Sequence, residues 1–317
     1  MSLDATPNPE TTAIVAEAGG PITAPQPPRL HKVFIGKDGL RAGWSLLIFI
    51  ALLALVFIAA SFVIRKIHPP DPNAMKPGSE ISIKMGILAE AIPFIAVLLV
   101  TWIMSKIERR PNSVYGFGGS QKIAYFFAGL AWGVVCLSIL VSSLWKTGFL
   151  VIDRRLLFGN DVLRYGSTWL FGFLLVALLE EYLTRGYVQY TLTRGLAGLY
   201  RWGLKTRHSE ALGFWTSAVI LSFLFGFGHG KNPDESPIGM LSAGLAGIVF
   251  CLSLWRTGSI WWAIGFHAAW DWSQSFLYGV ADSGLMVQYH LLATHPVGKP
   301  ILSGGVTGPE GSIFVLA

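Results

Sequence analysis

Charge is scarce in this sequence. Only 13% of its 317 residues are Asp, Glu, Lys or Arg, while 52% are hydrophobic; a soluble domain carries roughly a quarter charged residues. So little charge excludes an ordinary water-soluble globule. Cysteine is nearly absent as well. Cys136 and Cys251 each lie inside an apolar run, which gives neither a disulfide framework nor a metal-ligand spacing. The first residues lack a positive start followed by an apolar stretch, so they do not read as a secretory signal. The net charge of +6 comes with no dense basic cluster and no nucleic-acid motif. It reads as membrane topology bias, with no nucleic acid among the partners. The His-Glu-x-x-His signature of zinc proteases is missing too.

What the chain does have is long apolar blocks and a positive mean hydropathy of +0.53. A membrane-crossing helix needs about 20 apolar residues. Runs that qualify are Trp44–Ile64, Ile87–Met104, Ile123–Trp145, Thr168–Leu192, Leu212–Gly228, Ile238–Trp255 and Ile260–Val280. A further short or re-entrant helix is expected near Phe149–Leu157 or Leu285–Ala293. The runs are too long and unbroken for barrel strands, and lipid-facing backbone must be satisfied internally. The expected fold is therefore all-α, a polytopic transmembrane helix bundle of about seven to eight spans. Residues 1–38, rich in Ala, Pro, Thr and Gly, are expected to be a disordered tail. Residues 39–293 form the helical domain, with a core at 167–278 that holds most of the intramembrane charge, and 294–317 form a C-terminal tail rich in Gly and Pro. The loop Lys and Arg favour a cytoplasmic N-terminus by a slight margin. An integral protein of the cell's inner (plasma) membrane is expected.

The informative residues are those that interrupt the apolar runs. A charged side chain at mid-helix costs roughly 2.5–3.5 kcal/mol on insertion scales, so it faces protein or a wet cavity. Among the 18 acidic residues, only Glu90, Glu180, Glu181 and Asp271 fall within the expected spans. In LLEEYLTRGYVQ, Glu181 and Arg185 are four apart and share a helix face, so they can pair. Glu180 is turned about 100° away and left free to face a cavity. In FLFGFGHG, His229 ends an apolar helix. In WWAIGFHAAWDW, His267 and Asp271 are four apart on one face. Each group also has a structural reading: an ion pair at a membrane boundary, a histidine cap, a self-satisfied pair. Together, three helices each bring an ionisable group that lipid rejects, so they are expected to converge. A carboxylate and a histidine meeting at one water can activate it, and a second histidine can steady an oxyanion. Glu90, beside Pro93, either lines the same cavity or sits near a boundary.

These segments resemble the CAAX protease and bacteriocin-processing family, the Abi proteins or type II CAAX prenyl endopeptidases. Its marks are Glu-Glu-x-x-x-Arg, Phe-x-x-x-His and His-x-x-x-Asn/Asp on successive membrane helices. Here they stand as Glu180-Glu181-Tyr182-Leu183-Thr184-Arg185, Phe225-Gly226-Phe227-Gly228-His229 and His267-Ala268-Ala269-Trp270-Asp271. The resemblance covers about Ser167 to Tyr278. It implies an intramembrane endopeptidase in which Glu180 and His229 activate the water, His267 and Asp271 hold the oxyanion and orient the site, and Glu181 and Arg185 support it. No cofactor and no metal is implied. The substrate would be a peptide or protein, its lipid modification left open, met in contact with membrane lipid. The departure is Asp271, where the family often has Asn; only a protonated Asp donates a hydrogen bond, whereas a carboxylate would hold His267. Competing readings are a zinc-dependent membrane metalloprotease, a non-catalytic scaffold or bacteriocin-immunity protein, and a transporter.

Overall fold

The computed structural model describes residues 33–67, 80–232 and 234–317. The tail expected over 1–38 lies outside the described residues as far as residue 32. Residues 33–41 belong to a unit of their own, in which β1 (Ile35–Gly36) pairs antiparallel with β2 (Gly39–Leu40).

The second unit, Ala42–Ala317, is built on helices. They are α1 (Ala42–Ile67), α2 (Ile83–Glu108), α3 (Lys122–Lys146), α4 (Asn160–Glu181), α5 (Gln189–Gly203), α6 (Ser209–His229), α7 (Pro237–Thr257) and α8 (Trp261–Trp272). A π-helical turn, Tyr182–Val188, joins α4 to α5 without a break. Among the described residues, six helical segments are long and apolar enough to cross a membrane, the α4–α5 segment counting as one over Asn160–Gly203. Their outward residues are large and apolar, among them Ile58, Ile123, Trp132, Phe171 and Phe223. The architecture is that of a polytopic membrane bundle.

Six is fewer than the seven to eight spans expected, and the difference has a physical cause. The run Ile260–Val280 becomes α8, of 12 residues, continued by a 5-residue π turn, Ser273–Leu277. Its apolar residues are spent on protein contacts: Ala263, Ile264, Ala268 and Ala269 are all buried. Small residues let it approach so closely. A Cβ on Gly129 or Gly133 of α3 would strike the α8 backbone at Trp262 O or Phe266 O, and one on Gly265 would strike Phe126 O. This small-residue contact is how membrane helices gain packing where burial from water is no driving force. The expected extra helix is absent from both places considered. Leu150–Arg155 is a strand, β3, paired antiparallel with β4 (Leu292–Pro296).

The up-and-down course gives the bundle two ends. One holds Glu108, the 109–121 loop and the start of α8, tied by Ile260 N donating to Gly116 O at 3.0 Å. The other gathers the start of α2, the β3–β4 ribbon, the α6–α7 connection and everything after Leu277. There Ile81 N donates to Met286 O at 2.8 Å, Trp169 Nε1 to Gln288 O at 2.8 Å and Thr307 Oγ1 to Asp234 O at 2.7 Å. Near that end Ser236 caps α7, its Oγ accepting from Gly239 N at 3.0 Å with Pro237 at the first turn, an arrangement that satisfies otherwise orphaned donors. A short helix, α9 (Pro300–Ser303), lies in the closing segment.

Candidate active site

Glu180 and Glu181 are the last two residues of α4, immediately before the π turn. Single π turns often mark functional positions, because the extra residue re-aims side chains within an otherwise regular helix. Thr184 Oγ1 donates back to Glu180 O at 2.5 Å. Arg185, inside the turn, directs Nη1 to Glu181 Oε1 at 2.9 Å and to Thr184 Oγ1 at 3.0 Å. Glu181 is wholly buried and Arg185 is 2% exposed. The spacing of four that suggested a pair therefore forms one, and far from solvent, where loss of either partner is costly.

The pair also holds a histidine. His267 Nδ1 lies 3.0 Å from Glu181 Oε1, so the ring donates its Nδ1 proton to a carboxylate. Its Nε2 faces Asp271 Oδ2 at 3.4 Å and Glu180 Oε2 at 3.8 Å. His229, at the end of α6, has Nδ1 2.8 Å from Phe225 O. A carbonyl only accepts, so Nδ1 carries the proton and a neutral ring presents Nε2 as an acceptor. Glu180 keeps a side chain 32% exposed, and its Oε2 has no hydrogen-bond partner.

Glu180, His229, His267 and Asp271 all line one cavity of about 450 Å³, with Glu90 from α2 beside them. The structure thus places Glu90 at the cavity and not at a boundary. Glu181 and Arg185 stand behind the wall. The rest of the lining is largely apolar, with Trp169, Phe173, Val176, Val249 and Phe266.

Other polar residues of the cavity were not foreseen from the sequence. Asn232, Asp282, Ser283 and Glu310 also line the cavity. Glu310 Oε1 accepts from Ser283 N at 2.5 Å and Ser283 Oγ at 2.8 Å, and Ser275 Oγ donates to Asp282 Oδ2 at 3.3 Å. Burial, reinforced by the charges of Asp271 and Glu310, holds the Asp282 carboxyl well above the usual range. Burial likewise raises Glu310, against the opposing Ser283 hydrogen bond, with Glu235 adding to the rise. The available signal was slight: Glu310 is the one acidic residue after Asp282, in a stretch rich in Gly and Pro. Among the described residues no three His, Cys, Asp or Glu side chains form a group that could hold a metal ion.

Residues 163–273 match the family model described as type II CAAX prenyl endopeptidase Rce1-like. That segment contains all three motifs and every side chain of the Glu180–His229–His267–Asp271 group. No match was found among curated proteins or among solved structures. The likeness of this chain to the Rce1-like CAAX protease family thus rests on residues 163–273.

Proposed function

We propose that the protein is an intramembrane endopeptidase that hydrolyses a peptide bond near the membrane surface with a water activated by Glu180 and His229. The observation that carries this reading is that Glu180 and His229, from separate helices, line one cavity. Glu180 Oε2 accepts no hydrogen bond, its nearest charged neighbour being His267 Nε2 at 3.8 Å, and His229 turns Nε2 away from the Phe225 carbonyl that occupies Nδ1. A water held between two acceptors gives up a proton as it attacks the scissile carbonyl. The same proton then serves the leaving amine.

His267 supplies the complementary donor. With Nδ1 committed to Glu181, a proton on Nε2 points toward the group formed by Glu180 and Asp271. A donor there would steady the oxyanion as charge develops. Asp271 acts through His267, keeping that second proton on the ring. The Glu181–Arg185 pair anchors the imidazole at Nδ1 and takes no part in bond making. The substrate is a peptide or protein that approaches from the membrane, lipid-modified chains included, and the apolar wall formed by Trp169, Phe173, Val176 and Phe266 suits such a chain. The protein would reside in the plasma (inner) membrane with its N-terminus cytoplasmic.

The test is a quenched-fluorescence peptide library offered to purified full chain in detergent, with and without a chelator. Cleavage that survives chelation and disappears in Glu180→Gln is the expected result. Loss on chelation with rescue by zinc would replace this reading with a metalloprotease. Full cellular function in a Glu180→Ala, His229→Ala variant would replace it with a scaffold.

A further inference from the structure

Helix α7 carries none of the three motifs, yet it is shaped around Arg185. A Cβ on Gly247 would stand 2.6 Å from Arg185 Nη2 and 2.8 Å from Ser222 Oγ, so the glycine leaves the room that the guanidinium occupies. One turn on, the Phe250 ring centroid lies 5.4 Å from the guanidinium carbon, while Phe225 of α6 lies on it at 4.2 Å. Arg185 Nη2 has no hydrogen-bond partner. A buried guanidinium with five donors and a single carboxylate partner is stabilised across its faces by aromatic rings.

Both rings also touch the histidines. Phe250 stacks on His267, centroids 5.7 Å apart at 25°. Phe225 meets His229 edge-on at 4.7 Å and His267 at 6.3 Å. Each ring therefore contacts both the Arg185 charge and an imidazole. A hydrogen bond from Nδ1 to Glu181 fixes one atom of His267 but leaves its ring free to swing about that contact. A flat neighbour removes the swing.

We propose that Phe250 is a positioning residue for His267, acting as one jaw of an aromatic bracket, with Phe225 the other, closed on the Arg185 guanidinium. The bracket sets the plane of the His267 imidazole and so the direction of Nε2. Gly247 is the clearance that lets α7 deliver the jaw. The kinetic part of this inference rests on the function proposed above; the geometric part does not.

The experiment has two arms so that the two can fail separately. In the first, the full chain is labelled in its histidines and examined by NMR in detergent, with His267→Gln identifying the resonance. Phe250→Leu is expected to move the His267 ring-proton signals downfield, through loss of the stacked ring's shielding, and Phe250→Tyr to leave them near their original place. In the second, Phe250→Leu lowers kcat on a Glu180-dependent peptide substrate by roughly 10- to 100-fold, the scale of a small misplacement of a reacting group. KM stays unchanged, and Phe250→Tyr restores most of the rate. Phe250→Met replaces the leucine variant if that one does not fold, with the same expectation. Unmoved His267 signals in either aliphatic variant overturn the bracket. A raised KM at unchanged kcat also overturns it, because Phe250 would then be only a wall of the substrate site. Absence of any Glu180-dependent cleavage in the unaltered protein counts against the proposed function, and the NMR arm still decides the bracket.

Discussion

Two glutamates of the bundle, Glu108 and Glu180, invite comparison. Glu108, the last residue of α2, has a side chain only 1% exposed and spends its oxygens fully. It accepts from Tyr115 OH at 3.1 Å and Tyr187 OH at 3.0 Å, and faces Arg110 Nε and Arg194 Nη2, each at 3.7 Å. Those partners come from the following loop, the π turn and α5. Glu180 differs: its side chain is about a third exposed and lines a cavity, and its Oε2, 3.8 Å from His267 Nε2, accepts no hydrogen bond. A carboxylate whose lone pairs are all taken stabilises the elements that supply its donors. One that retains a free lone pair in a low-dielectric cavity is available to a water. On the function proposed above, the comparison separates scaffold from chemistry, although both residues are costly acids in an apolar chain.

The predictions probe that separation, from the largest effect to the smallest. On the reading proposed here, His229→Ala should lower the cleavage rate roughly 10²- to 10⁴-fold, the usual worth of a positioned acid or base, with little change in thermal stability in detergent. Glu108→Ala should act on the fold instead. It strands two tyrosine hydroxyls and removes the anionic partner of two arginines, which costs about 3–5 kcal/mol when a buried pair is broken; chemical denaturation in detergent measures it. Asp271→Asn should keep the rate within about tenfold, because Asn can still contact His267, whereas Asp271→Leu should fall well below it; initial rates on one peptide separate the two. The smallest effect concerns Asp282. Its folded pKa lies above the ordinary value, so the folded chain holds that proton more tightly than the unfolded one. Its contribution to stability is therefore complete below about pH 4 and is lost as the pH rises through the raised folded value. Asp282→Asn should flatten that decline, read as thermal unfolding from about pH 4 to about pH 8. An unchanged slope would show that Asp282 is not the group responsible.

Much of this arrangement was legible in the residues. An apolar run locates a buried helix well, and Ile123–Trp145 differs from α3 by a single residue at each end. Hydropathy cannot say whether a helix faces lipid or protein, which is why the run starting at Ile260 read as a span and folds as the short, enclosed α8. The ribbon of β3 and β4 escaped notice because its strands are separated by 142 residues at the Asp153–His295 contact, and local pattern carries no record of such a partner. At the site, the Glu181–Arg185 pair followed from helical spacing alone. The bond from His267 to Glu181 did not, since it crosses 86 residues and joins two motifs that look self-contained. The Glu108 network was invisible for the same reason. Its span was expected to stop at Met104, and its tyrosine partners lie 7 and 79 residues away.

The most direct test of the account sets Glu180→Gln beside Glu108→Gln and measures cleavage of one peptide per folded molecule, with the folded fraction of each variant determined in the same detergent. The account predicts that Glu180→Gln is as stable as the unaltered protein and inactive, while Glu108→Gln is less stable and cleaves at close to the normal rate once the folded fraction is accounted for. Normal cleavage by Glu180→Gln, or equal loss of activity in both variants, would contradict it.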